Sequence, residues 1–365
     1  MKMEDRLWYK LTRNIIKAGG PPIPINDTLI KLIKSLITEK QLKFLLIFRK
    51  PLNLSEIQAK TNLDENILKE NLNELMHIGM INGIPSRSTG QMVYRLVAFL
   101  PGLLEHTLMR GEKGPKQMKL AKLWDQLFKD SNEITKKNYQ FVMDAFKNAP
   151  PIDKVIPIEQ DLVEYEESVI SNSEIGELIE KFDTIGLSYC YCRHLKDLLN
   201  DPCKIDAPRQ NCLTFGRSAR FLIENDFAKE ITKTEAKKIL KESEEYGLVH
   251  KAFHTKADPE LEELGLCSCC QCCCGNFQAF YKGTSPSHTY TSYLAQVNNY
   301  LCIGCGNCIE KCPMKATNLF EFIAVIDKDR CIGCGVCVSQ CPENAIELKK
   351  IQLRKVFIPA PKISN

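Results

Sequence analysis

The 365-residue chain carries 18 cysteines, and none precedes Cys190. Their spacing is the chemical signal. Cys302, Cys305, Cys308 and Cys312 run into Pro313; Cys331, Cys334, Cys337 and Cys341 run into Pro342. Each run reads C-x2-C-x2-C-x3-C-P, and the second repeats the first 29 residues later. Three thiolates two residues apart can wrap a tight loop around one corner of an iron–sulfur cubane. Gly304, Gly306, Gly333 and Gly335 let the backbone come close and aim N–H groups at sulfur. Zinc takes four ligands, commonly as paired knuckles, and fits eight cysteines in this duplicated pattern poorly.

Ten cysteines lie outside these runs. Cys190, Cys192, Cys203 and Cys212 are spread out, whereas Cys267, Cys269, Cys270, Cys272, Cys273 and Cys274 fall within eight residues. On a strand, Cys190 and Cys192 would face one side. On a helix, Cys270 and Cys274 would share one face, and Cys269, Cys272 and Cys273 another. Metal is expected here, because unligated thiols this crowded would oxidise and a buried thiolate needs a matching cation. Three readings stay open: one or two further iron–sulfur clusters, one cluster plus a structural zinc, or a non-cubane cluster built on adjacent cysteines. Arg193, His194, His250 and His254 are candidate N–H donors to sulfur or, for the histidines, ligands. Ordinary core or surface roles are the commoner fate of such side chains.

The repeated runs resemble the bacterial two-cluster ferredoxins over about fifty residues. That resemblance implies electron transfer and crossed ligation of two [4Fe–4S] clusters. One would be held by Cys302, Cys305, Cys308 and Cys341, the other by Cys331, Cys334, Cys337 and Cys312. The cysteine before each proline starts the short helix that crosses over. Ile303, Ile326, Ile332 and Ile346 would form a dry shell. The string Cys273-Cys274-Gly275 resembles the cysteine-rich domains of heterodisulfide reductases, although the surrounding spacing departs from theirs. The segment from Cys190-Tyr-Cys192-Arg193 to the crowded run is similar to uncharacterised prokaryotic iron–sulfur proteins, a likeness that supplies no reaction.

The elements that must position these residues read as α+β and multidomain. Residues 1–149 form a helical part with a winged helix-turn-helix-like segment and a helical connector. Residues 150–290 form a cysteine-rich α+β domain, and residues 291–365 the ferredoxin-like module and tail. Asp27 is the expected cap of a helix over 28–38. In the winged-helix-like segment, which resembles that fold over about sixty residues, helices are expected at 41–49, 56–61 and 65–80. Ser55 would cap the second, and a hairpin would cover 81–97. A strand is expected over 154–158, a helix over 173–182, strand character over 187–193 and a helix over 213–224. Thr232 and Glu235 form a capping box for a helix over 232–246, which Gly247 ends.

Composition narrows the function. Apolar residues make up 44% and charged residues 26%, ordinary globular values. The formal charge of +4 omits the negative charge of metal-bound thiolates, so it makes no case for nucleic acid. No stretch approaches a membrane span, and the N-terminus has no signal-peptide core. A cytoplasmic protein of an anaerobic or low-oxygen host is expected, since reduced thiols at this density act as metal or redox ligands. The third helix of the winged segment carries Asp64, Glu65, Glu70 and Glu74 against one lysine, Lys69, which argues against DNA and for protein docking. No dinucleotide fingerprint, phosphate loop or nucleophile–base pair is present. The expected function is electron transfer to or from a partner oxidoreductase, with a flavoprotein as the candidate class. The alternatives are a redox-sensing regulator and a reductase with its chemistry at a non-cubane middle cluster.

Overall fold

The computed structural model describes residues 3–19, 23–86, 88–151, 153–158, 174–254 and 263–363. Helices Met3–Lys17, Asp27–Leu36 and Glu39–Leu45 open the chain. Strand β1 (Leu52–Asn53), helices Leu54–Thr61 and Glu65–Ile78, and a hairpin of β2 (Ile81–Pro85) and β3 (Met92–Leu96) follow. The three strands form a small sheet in the order β1-β3-β2. Leu42, Leu45, Ile57, Leu68, Leu72 and Leu75 are buried in its core, so the apolar stripes of three helices converge on one point.

Two caps differ from expectation. Asn26, not Asp27, caps the second helix by accepting the Leu29 N–H, and Asp27 stands in the first turn. Asn53, not Ser55, caps Leu54–Thr61: its side chain accepts the Glu56 N–H at 2.9 Å, and the Glu56 carboxylate accepts the Asn53 N–H at 2.9 Å. In both cases the asparagine lies just before the helix, where its backbone can stay extended and its amide oxygen reaches an orphan N–H.

Helices Leu104–Leu108, Pro115–Lys137 and Tyr139–Asn148 connect to the rest. Strands β4 (Asp153–Ile156), β5 (Ile185–Tyr189), β6 (Gln210–Phe215), β7 (Lys229–Ile231), β8 (Val249–His254), β9 (Glu263–Cys269), β10 (Ser287–Val297), β11 (Thr317–Phe320), β12 (Ile323–Ile326) and β13 (Ile346–Ile358) come next. Among the described residues they make an eight-stranded sheet, β13-β10-β4-β8-β9-β6-β5-β7, and a separate β11-β12 hairpin. The sheet therefore runs without a break from the cysteine-rich region into the strands that flank the duplicated cysteine runs. Its neighbours pair antiparallel except β4 with β10. Helices Glu174–Glu180 and Lys233–Glu245 cover one side through Ile179, Ala236 and Leu240, which join Leu213, Phe215, Ala252 and Leu266 of the strands. Thr232 and Glu235 form the expected capping box, and Gly247 has a left-handed φ of 67° beyond the helix end.

Three local readings are corrected. The strand expected over 187–193 stops at Tyr189, and helix Tyr191–Leu198 begins with Cys190 as its cap residue. The helix expected over 213–224 is divided: Leu213, Thr214 and Phe215 end β6, and Gly216, at φ 57°, turns the chain into helix Gly216–Glu224. A short apolar run suits a buried strand as well as a helix, and pairing with β5 decides. The crowded cysteine run is not a helix. Cys267 and Cys269 end β9, a turn holds 271–273, and Cys274 caps helix Gly275–Tyr281.

Candidate metal centres

Eight of the cysteines surround two recesses. Gly306 and Gly335, left-handed at φ 82° and 78°, cap helices Asn307–Lys311 and Val336–Ser339, which carry Cys308 and Cys337. A Cβ at Gly304 would stand 2.3 Å from the Phe322 carbonyl oxygen, and one at Gly333 2.4 Å from that of Tyr293. No side chain fits either place, so these glycines permit the close backbone approach. The first recess is lined by Cys302, Cys305, Cys308 and Cys341. The second is lined by Cys312, Cys331, Cys334 and Cys337.

The residues suit polynuclear clusters. Backbone N–H groups of Ala324, Ala316 and Ala345 donate to the sulfurs of Cys302, Cys312 and Cys341 at 3.4, 3.2 and 3.3 Å. Such bonds stabilise ligated thiolate and tune its potential. Burial pushes the Cys334 and Cys337 thiols up, a cost that a bound cation removes. Exposure distinguishes the recesses. Cys305 is exposed, and Ile303 and Leu319, which also line the first recess, stand open to solvent. Cys331, Cys334 and Ile332 are buried at the second. Of the four isoleucines expected as a dry shell, Ile332 and Ile346 are buried and Ile326 is half-buried, but Ile303 is 63% exposed.

The other ten cysteines form two adjoining groups. In one, Cys203 Sγ lies 3.8 Å from Cys270 and 3.6 Å from Cys272, and Cys272 lies 3.6 Å from Cys273. In the other, sulfur contacts link Cys192 to Cys274, Cys274 to Cys269, Cys269 to Cys267 and Cys267 to Cys212. Cys190 interacts electrostatically with both Cys270 and Cys274, so it stands where the groups meet. Cys212 arrives on β6, Cys190 and Cys192 at the start of a helix, and Cys267 and Cys269 on β9, whose pairing with β8 sets Val249 opposite Cys269.

Two buried cations face these sulfurs. Arg193 is fully buried and donates to Cys270 Sγ at 3.6 Å, to the Ser268 carbonyl at 3.1 Å and to the Asn211 side chain. Hydrogen bonding from Cys273 and the Arg193 charge, against the opposing effect of burial, pull Cys270 down to about 5. Lys251 is buried in an ion pair with Asp153 at 3.1 Å, and Thr289 also donates to Asp153. Burial alone would lower the lysine's pKa, but Asp153, Cys269 and Cys274 outweigh it and raise it. Cys274 is held well below the usual thiol range, first by hydrogen bonds with Cys192 and Cys269 and then by Lys251 against the opposing effect of burial.

Of the four candidate donors, only Arg193 is seen to reach a sulfur. His194 Nε2 pairs with the Glu112 carbonyl at 2.8 Å, and His250 Nδ1 with Ser268 Oγ at 3.1 Å; the side chain of His254 lies outside the described residues. Lys251 was the missed residue. Its signal is a lysine inside the apolar strand Val249–His254.

Residues 301–345 match a family model described as a 4Fe-4S dicluster domain. That match covers the duplicated cysteine runs, and it shows iron–sulfur cluster binding there. No curated protein and no solved structure matches the chain.

Proposed function

We propose that the chain is an iron–sulfur electron-transfer protein that exchanges electrons with a partner oxidoreductase, a flavoprotein being the class expected. Cys302, Cys305, Cys308 and Cys341 are proposed to hold one [4Fe–4S] cluster, and Cys312, Cys331, Cys334 and Cys337 the other. When bound, such clusters supply one-electron redox couples. The observation that carries the reading is the pair of four-cysteine recesses, the first with exposed Cys305 and Ile303 in its wall and the second lined by buried Cys331, Ile332 and Cys334. The first recess, with exposed Ile303, Cys305 and Leu319 in its wall, suits contact with a partner protein. Cys308 of the first recess and Cys331 and Cys334 of the second share one apolar core with Cys269 and Cys274. Contacts tie the two regions together. Tyr281 Oη donates to the Pro313 carbonyl at 2.5 Å, Gln271 Nε2 to that of Lys311 at 2.9 Å, and the Ile158 N–H to that of Cys334 at 3.0 Å.

The ten middle cysteines are proposed to bind at least one further metal centre. Residues 40–98 are read as a winged helix used for protein docking. Helix Glu65–Ile78 shows Glu65, Glu70 and Glu74 to solvent, where phosphates would be repelled. None of the 18 cysteines is in a disulfide, which suits the reducing conditions of a cytoplasm. Among the described residues, no helix is long and apolar enough to cross a membrane. Iron and sulfide analysis of anaerobically purified protein, with EPR after reduction, tests the reading. About eight irons with sulfide are expected from the C-terminal cysteines alone.

A further inference from the structure

We infer that Cys203, Cys270, Cys272 and Cys273 form a closed, mononuclear tetrathiolate site for one Zn²⁺, distinct from any redox centre built on the other six middle cysteines. The inference rests on the reading that the middle cysteines bind metal, and it specifies how they divide.

Distance carries the argument. A tetrahedral ion with Zn–S bonds of about 2.3 Å sets its sulfurs about 3.8 Å apart. Here the adjacent sulfurs stand 3.8, 3.6 and 3.6 Å apart, and all four lie within 4.8 Å of one another. A disulfide is excluded by the same numbers, since bonded sulfurs approach to about 2.05 Å. The molecule contains its own comparison. Among the described residues no other cysteine set has its sulfurs gathered this tightly, and each C-terminal quartet stands around a recess instead. A cubane places four irons and four sulfides between its ligands and so holds them further apart than a single ion does.

The surroundings fit a closed structural site. Cys203, Cys270 and Cys273 are buried and Cys272 is half-buried, and four thiolates would fill the tetrahedral shell of a structural zinc. Four thiolates around one divalent cation leave a net charge of two minus. The Arg193 guanidinium donates to Cys270 Sγ at 3.6 Å and offsets part of it. The N–H groups of Ile205 and Ala207 are directed at Cys203 and delocalise more. Sulfur-only tetrahedral coordination admits zinc or iron, and divalent zinc binds such ligands more tightly than divalent iron. The ion would also explain the local fold. Residues 201–209 form no helix or strand, yet the segment holds Cys203 against a turn 67 residues away.

The test uses the full chain, purified without oxygen or added chelator. Elemental analysis should find one zinc per chain beside the cluster iron. Protein made in zinc-depleted, cobalt-enriched medium should carry one cobalt with the visible bands of a tetrahedral cobalt thiolate. Cys203→Ser should lose the zinc while the EPR signals of the C-terminal clusters persist. Should that variant fail to fold, the wild-type cobalt spectrum decides alone. Iron in excess of the C-terminal eight, with neither zinc nor tetrahedral cobalt bound, would overturn the zinc site while keeping a middle metal centre. A middle region free of any metal would overturn both.

Discussion

Cys341 follows Cys337 closely in sequence, yet it lines the recess of Cys302, Cys305 and Cys308. Cys312 likewise lines the recess of the second run. Ser substitution at 341 should therefore leave the same residual EPR signal as substitution at 302, and Cys312→Ser the same as Cys331→Ser. If Cys341→Ser instead matched Cys331→Ser, the crossed ligation would be wrong. Lys251 makes a second prediction at this scale. Its ion pair with Asp153 has both side chains only 3% exposed. Lys251→Met should cost about 3–5 kcal/mol in chemical denaturation, because it strands a buried carboxylate. Adding Asp153→Asn should recover most of the loss; no recovery would mean that the lysine matters through the sulfurs of Cys269 and Cys274 alone. The ferredoxin cysteines were legible in the sequence because their spacing is itself the loop geometry. The tight quartet was not, since Cys203 joins it through tertiary folding and Cys270-Gln-Cys272-Cys273 lacks the paired-knuckle spacing.

Helix Leu104–Leu108 joins the N-terminal helices to the large sheet. Its His106 stacks on Phe227 at 4.7 Å between ring centroids and pairs through Nδ1 with the Gly79 carbonyl at 3.2 Å. Arg110 sits 3.9 Å over the same phenylalanine ring and donates to the Asn225 carbonyl at 2.8 Å. Burial pushes His106 down to about 4, against a smaller rise from the Gly79 contact, so the folded ring is neutral at pH 7. The stability this gives is fully present above the unfolded value of about 6.5. It falls as pH drops from there toward 4, by up to about 3 kcal/mol, because the unfolded chain binds a proton that the folded one does not. Both tryptophans, Trp8 and Trp124, are buried in this N-terminal part, so their fluorescence reports its unfolding. His106→Gln should flatten the acid dependence over that range; an unchanged slope would assign it to other groups. For helix Glu65–Ile78 the expectation is negative. Full-length protein should select no consensus from random duplexes, whereas an affinity of about 10⁻⁸ to 10⁻¹¹ M for one site would establish a regulator. Elements were readable where caps and periodicity agreed, as at Thr232 and Glu235. They were misread where a short apolar run, 213–215, found its partner only through β5.

At the scale of the whole molecule, one eight-stranded sheet carries both the middle cysteines and the strands that bracket the C-terminal module. The sequence divides into a cysteine-rich part ending at residue 290 and a module from 291, but β10 and β13 pair along most of their length and β10 continues onto β4. Strand partners from distant segments leave no mark in local spacing, which is why this continuity was not legible. The two C-terminal quartets stand in unlike surroundings: exposed Cys305 and Ile303 line the first recess, and buried Cys331, Ile332 and Cys334 the second. The most direct measurement is an anaerobic redox titration of the full chain followed by EPR, with a soluble paramagnetic relaxer added to the reduced protein. Two [4Fe–4S] signals are expected, with the relaxer broadening the one lost in Cys302→Ser far more than the one lost in Cys331→Ser. A single signal, or equal broadening of both, would contradict the account.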